Sequence, residues 1–193
     1  MQYRIFDDMT QCSEQEIARL LPLVSPQRRE QALRYTHIFG QFCCLKSYEL
    51  LTQLLVKWGG DNVDKMPEFV YNEHGAPYLA VGPYFSISHC KQGIAVVVSD
   101  QPVGIDIEGM RKVDDGLVRK TMNIEEQAQI AAAANPEQEF IRLWTRKEAY
   151  VKMQGTGIIS DMHEILQNTH ALQWHEIVDI DKGYICTIVT KNE

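Results

Sequence analysis

The hydrophobic positions along the chain change their spacing several times, and each change marks an element. Residues 2–6, QYRIF, read as a first strand, and the spacing then turns helical. Ser13 followed three residues later by Glu16 predicts a capping box ahead of the stripe Ile17, Leu20 and Leu21. Ser25 with Pro26 predicts a second helix start. GQFCCLKSYELLTQLLVKWGG is apolar over a wide arc and closed by Gly59–Gly60, which predicts a long central helix. The texture then becomes that of strands: two short runs in EFVYNEHGAPYLA, then YFSISHC, GIAVVVSD and QPVGIDIE. From 117 to 154 it is helical again, broken at Asn135–Pro136 and ended by Gly155. Two more strands, in ALQWHEIVDIDKGYICTIVTK, flank a turn at Asp181–Gly183. Helices then strands, twice over, predict an α+β fold of two similar halves with a boundary near Asp100.

One strand breaks the rule that its polar face should be unremarkable. In VGIDIEG, Val103, Ile105 and Ile107 supply a buried face, and the opposite face carries Gly104, Asp106 and Glu108. Asp106 and Glu108 then point the same way, roughly 6–7 Å apart. A third carboxylate, Glu148, lies in RLWTRKEAYVK, where Trp144, Glu148 and Lys152 are successive i, i+4 neighbours. Phe140, Leu143, Trp144, Lys147 and Val151 form the adjoining, mostly apolar stripe that anchors this helix.

Composition narrows the reading. The 193 residues are 45% hydrophobic and 23% charged, ordinary for one large domain or two small ones. A net charge of −7 argues against nucleic-acid binding as the main task. Five cysteines, Cys12, Cys43, Cys44, Cys90 and Cys186, include no C-x-x-C pair, which fits reduced thiols in the cytoplasm. No signal pattern or membrane-length apolar run is present, so a soluble cytoplasmic protein is expected.

Two strand carboxylates and one helix carboxylate make a half-shell of hard oxygens suited to Mg²⁺, with a lysine one turn further on to meet a phosphate. VGIDIE, followed 42 residues later (Asp106 to Glu148) by the glutamate of WTRKEAYVK, resembles the signature of the 4′-phosphopantetheinyl transferases. FSISHC before it and GTGI after it also fit, and the length resembles the surfactin-synthetase-activating type, in which two α+β halves pack as a monomer. The resemblance covers roughly residues 20–160. It implies a pseudo-twofold duplication, 1–100 and 101–193, each half a small antiparallel sheet on helices, with the active site between them.

The resemblance also implies transfer of the phosphopantetheine arm of coenzyme A to a serine of an apo acyl or peptidyl carrier protein, releasing 3′,5′-ADP. By motif position, Asp106, Glu108 and Glu148 hold Mg²⁺. Glu148 helps deprotonate the carrier serine, and Lys152 assists the departing phosphate. Arg28, Ser88, His89 and Lys152 bind coenzyme A. Arg111, Lys112, Arg119 and Lys120 follow the metal motif and are expected to meet the carrier protein. Where the family often has basic residues, this chain has Gln41 and Ala76, and Lys46 or His74 is the expected substitute. Two readings from other classes use the same residues. A Mg²⁺-dependent hydrolase of a pyrophosphate would release free phosphopantetheine, and a docking module would bind carriers without turnover.

Overall fold

The computed structural model describes residues 1–59, 66–157, 161–167 and 169–192. Strand β1 (Gln2–Phe6) precedes helices α1 (Glu14–Leu20), α2 (Pro26–Leu33) and α3 (Ile38–Gly59). A two-stranded hairpin, β2 (Val70–Tyr71) and β3 (Pro77–Tyr78), leads into β4 (Tyr84–Cys90) and β5 (Gly93–Ser99). The second half repeats the plan with β6 (Val103–Gly109), helices α4 (Asp115–Thr121), α5 (Ile124–Ala132) and α6 (Pro136–Gln154), then β7 (Leu172–Asp179) and β8 (Tyr184–Lys191).

The helices begin where the caps put them. The Ser13 and Ser25 hydroxyls accept from the amides of Glu16 and Arg28, and the Asn135 carboxamide accepts from that of Gln138. Asn123 and Glu126 complete a reciprocal capping box on α5. The predicted box at Ser13 closes only on the serine side, because the Glu16 carboxylate is taken by Arg19 and Lys46. Gly155 ends α6 in the left-handed conformation, φ 66°, that favours glycine. The predicted stop at Gly60 lies outside the described residues.

Both larger sheets are antiparallel, and their order is the same: β1-β5-β4 and β6-β8-β7. In each, the first strand of the half pairs with the last, and the hairpin partner lies outside. The molecule is therefore α+β with two similar halves. Ile94, Val96 and Val98 of β5 turn to α3, in a core with Phe42, Leu45 and Tyr48. Ala95 and Val97, on its other face, meet Val103, Ile105, Ile107, Cys186 and Ile188 of the second sheet. The second sheet's outer face packs Ile185 against Phe140 and Val189 against Ala149 of α6. The layers run α3, sheet, sheet, α6.

This layering puts Gly104, Asp106 and Glu108 under α6. A Cβ built on Gly104 would collide with the Ala149 carbonyl oxygen, so the glycine is what lets helix and strand backbones touch. Among the described residues no helix is long and apolar enough to cross a membrane.

Candidate active site

The carboxylates of β6 meet α6 at the seam between the two sheets. Edge strand β4 lies beside edge strand β6, tied by side chains instead of a ladder: the Ile105 amide donates to Ser86 Oγ, 3.2 Å, and Ser88 Oγ donates to Asp106 Oδ1, 2.7 Å. Lys152 Nζ, from the last turn of α6, donates to Asp106 Oδ1 at 2.7 Å and to Ser88 Oγ at 2.8 Å. Ser88, Asp106 and Lys152 thus form a closed triangle built from three elements. Sequence spacing placed Ser86 and Ser88 on one strand face, but which strand they would bridge is a long-range fact.

Two carboxylate oxygens in this site are buried and accept no hydrogen bond: Asp106 Oδ2 and Glu148 Oε1. Such atoms are costly to leave unpaired. Burial, and then the Asp106 charge, push the Glu148 carboxyl above the usual carboxylate range, against the opposing pull of Lys152. Glu108 is the more exposed member and accepts from Arg111 Nη1 at 2.8 Å. Among the described residues, no three acidic, histidine or cysteine groups are gathered closely enough to hold a metal ion by themselves. The donor set nonetheless fits a hard cation: oxygen ligands only, two of them desolvated and lacking a donor.

These residues open onto a cleft of about 400 Å³ whose wall includes Arg28, Ser88, His89, Asp106, Glu148 and Lys152. Arg28 comes from α2, across the molecule. Its guanidinium donates to the Cys44 carbonyl, Ser47 Oγ and Gln31 Oε1 and lies over the Phe69 ring, 5.2 Å from its centroid. Among the described residues it has no carboxylate partner, so a buried cation faces the cleft with its charge uncompensated. The His89 ring stands edge-on to Phe39. Although the residue is exposed at the cleft wall, partial desolvation of the ring, followed by the Lys152 and Arg28 charges, holds its pKa below the usual histidine value. Tyr35, Ser47 and Phe69 also line the cleft. Nothing in their local spacing singled them out, because the α2–α3 connection, α3 and the segment before β2 deliver them from a distance.

The two positions without a basic residue are structurally occupied. Gln41 Nε2 donates to the Tyr35 carbonyl, and Ala76 sits in an adjoining pocket of about 290 Å³ that also borders His74 and Glu148. His74 is therefore near enough to the site to stand in for a missing base. Lys46 is not: its ammonium is 2.7 Å from Glu49, 3.4 Å from Glu16 and over the Phe6 ring. Arg111, Lys112, Arg119 and Lys120 are all exposed, and Arg119 and Lys120 form the last turn of α4. A larger groove, about 830 Å³, lies along α5, α6 and β7 and holds none of the three carboxylates.

The model of one protein family, the 4′-phosphopantetheinyl transferase superfamily, matches residues 102–189. Residues 102–189 are thus similar to that superfamily. The match contains Asp106, Glu108, Glu148 and Lys152, whereas Arg28, Ser88 and His89 lie before it. Among curated transferases of this name, gsp of Aneurinibacillus migulanus is 28% identical over 70% of this chain and 57% of its own length. Sfp of Bacillus subtilis strain 168 is 24% identical over 89% of the chain and 84% of its own length. AcpT of Salmonella typhimurium is 41% identical over 47% of the chain and 50% of its own length. The chain thus spans little more than half the length of gsp and about half that of AcpT.

Proposed function

We propose that this chain transfers the 4′-phosphopantetheine arm of coenzyme A to a serine of an apo acyl or peptidyl carrier protein, with Mg²⁺ held by Asp106, Glu108 and Glu148. The observation that carries the reading is the pair of buried, unpartnered oxygens, Asp106 Oδ2 and Glu148 Oε1, on residues that line one cleft with Arg28, Ser88, His89 and Lys152. Bound there, Mg²⁺ would neutralise charge on the pyrophosphate.

The chain's own residues supply the rest. Arg28, uncompensated and fixed by three hydrogen bonds, receives the 3′-phosphate as a rigid planar donor. Ser88 and His89, at the end of β4, contact the pyrophosphate beside Lys152. Glu148, its proton affinity raised by burial, takes the proton of the carrier serine as its oxygen forms the new bond to phosphorus. The bond to 3′,5′-ADP breaks, and Lys152 stabilises the departing phosphate. The exposed basic stretch Arg111, Lys112, Arg119 and Lys120 faces the carrier. On this reading residues 1–100 and 101–193 are the two halves of a monomer that works in the cytoplasm, with the site between them.

Incubation with coenzyme A, Mg²⁺ and a panel of apo carrier proteins, followed by intact mass measurement, tests the reading. A phosphopantetheine-sized gain on a carrier is expected, abolished by chelator and lowered about 10²- to 10⁴-fold by Glu148→Gln. The same variant removes one of two facing buried charges, so it should gain roughly 1 kcal/mol, a rise in Tm of about 2–4 °C. Free phosphopantetheine instead of modified carrier would establish a hydrolase. Carrier binding without any gain would establish a docking module.

A further inference from the structure

A cation seated among Asp106, Glu108 and Glu148 needs all three carboxylates at once, and they are not equally free. Asp106 and Glu148 each keep one oxygen without a hydrogen bond. Two of the three are ion-paired through their other oxygen: Asp106 Oδ1 with Lys152 inside the site, and Glu108 Oε2 with Arg111 Nη1 at its rim, 2.8 Å away. Arg111 lies just beyond β6 with its side chain 48% exposed, against 25% for Glu108, and has no second partner among the described residues. The pair stands at the rim, one end in the site and the other in solvent. An exposed ion pair of this kind is weak and easily exchanged.

We infer that Arg111 is a removable latch on Glu108: guanidinium and divalent cation compete for one carboxylate, and an acidic partner surface that draws Arg111 away frees Glu108 for the cation. The inference rests on the transferase reading and adds that carrier binding and cation binding are coupled. Lys112, Arg119 and Lys120 are exposed nearby in sequence and offer the same acidic surface further charge. By linkage, the factor by which the carrier tightens the cation equals the factor by which the cation tightens the carrier.

The test is Mn²⁺ binding to the full chain, followed by electron paramagnetic resonance without coenzyme A. Arg111→Gln should bind Mn²⁺ roughly two- to fivefold more tightly than the wild type, the factor for removing one exposed ion pair. The gain should vanish when Glu108→Gln is also present. A carrier protein with its acceptor serine replaced by alanine should tighten Mn²⁺ on the wild type and leave Arg111→Gln unchanged. Equal or weaker Mn²⁺ binding by Arg111→Gln overturns the latch while leaving the transferase reading standing. A carrier that tightens both proteins alike overturns the coupling. Absence of Mn²⁺ binding in every protein, with no mass gain on any carrier, overturns the metal reading and the latch together.

Discussion

The first half and the second use one scaffold for opposite ends. Phe6, Arg4 and Gln2 of β1 pair with Ile94, Val96 and Val98 of β5; Glu108, Asp106 and Gly104 of β6 pair with Ile185, Thr187 and Val189 of β8. The central positions differ most. Opposite α3, Arg4 leaves the layer to bond Gln53, and Val96 completes an apolar core. Opposite α6, Asp106 turns inward and Thr187 bonds Thr145 at 2.7 Å. The long helices differ less: α3 buries Lys46 and Ser47 beside its Phe, Leu, Tyr and Cys, with the Cys43 thiol pushed up to about 12 by burial, and α6 buries Thr145 and Lys147 among its apolar residues. Both halves bury cations, and the carboxylates that line the cleft all come from the second.

Lys147 offers the most severe way to break this contrast. It is fully buried, its ammonium 2.6 Å from Glu126 and from the Met162 carbonyl and 2.9 Å from that of Thr121. Lys147→Ala leaves Glu126 buried and unpaired and should cost about 3–5 kcal/mol, read by urea denaturation. Lys147→Met with Glu126→Leu replaces the buried pair with hydrocarbon and should recover most of that loss. If the double variant is as unstable as the single, the ammonium's carbonyl bonds matter more than its charge.

Gly104→Ala comes next. Its Cβ must push α6 off β6, so about 1–3 kcal/mol of stability should go, with the proposed transfer activity falling as Glu148 and Lys152 move with the helix. Gln2→Ala, the equivalent change on β1, should stay within about 0.5 kcal/mol. Equal costs would deny that the two helices approach their sheets differently.

The smallest effect is a pH dependence at Glu139, in the first turn of α6. Hydrogen bonds from Arg142 hold the Glu139 carboxyl below its usual pKa, chiefly against the cost of burial. A carboxylate lowered on folding stabilises above its unfolded pKa, and that contribution is lost as pH falls through the folded value. Glu139→Gln should therefore destabilise by about 0.2–1 kcal/mol at pH 7 and by progressively less toward pH 3. A pH-independent difference would rule out the ion pair as its source.

Much of this was legible before any coordinates. The caps at Ser13 and Ser25 involve residues three positions apart, and short-range rules reach that far, whereas Asn135 was read as a break and its capping role came from the structure. The alternation in VGIDIEG separated the two faces of β6, both of which folding buries, and the spacing on α6 set Glu148 and Lys152 one turn apart. What escaped was every partner chosen by folding. Glu126 was read as part of a helical run, yet it meets Lys147, 21 residues on. Lys46 looked available and was captured by α1 and its own helix. Local patterns state which way a side chain points, while its partner depends on which element arrives there.

The two sheets meet along their margins as well as face to face. Beside the Ser86 and Ser88 bonds from β4 to β6, the far margins touch where Tyr3 of β1 lies 3.1 Å from His175 of β7. Each outer strand thus shields another that would otherwise present a row of unpaired amides and carbonyls. Prising the halves apart undoes the Ser88–Asp106 bond and bares four sticky borders in the same motion. Loss of activity on heating and the onset of clumping should consequently share one threshold, and a ligand that bridges Arg28 to Lys152 should act as a clasp that protects the protein in storage.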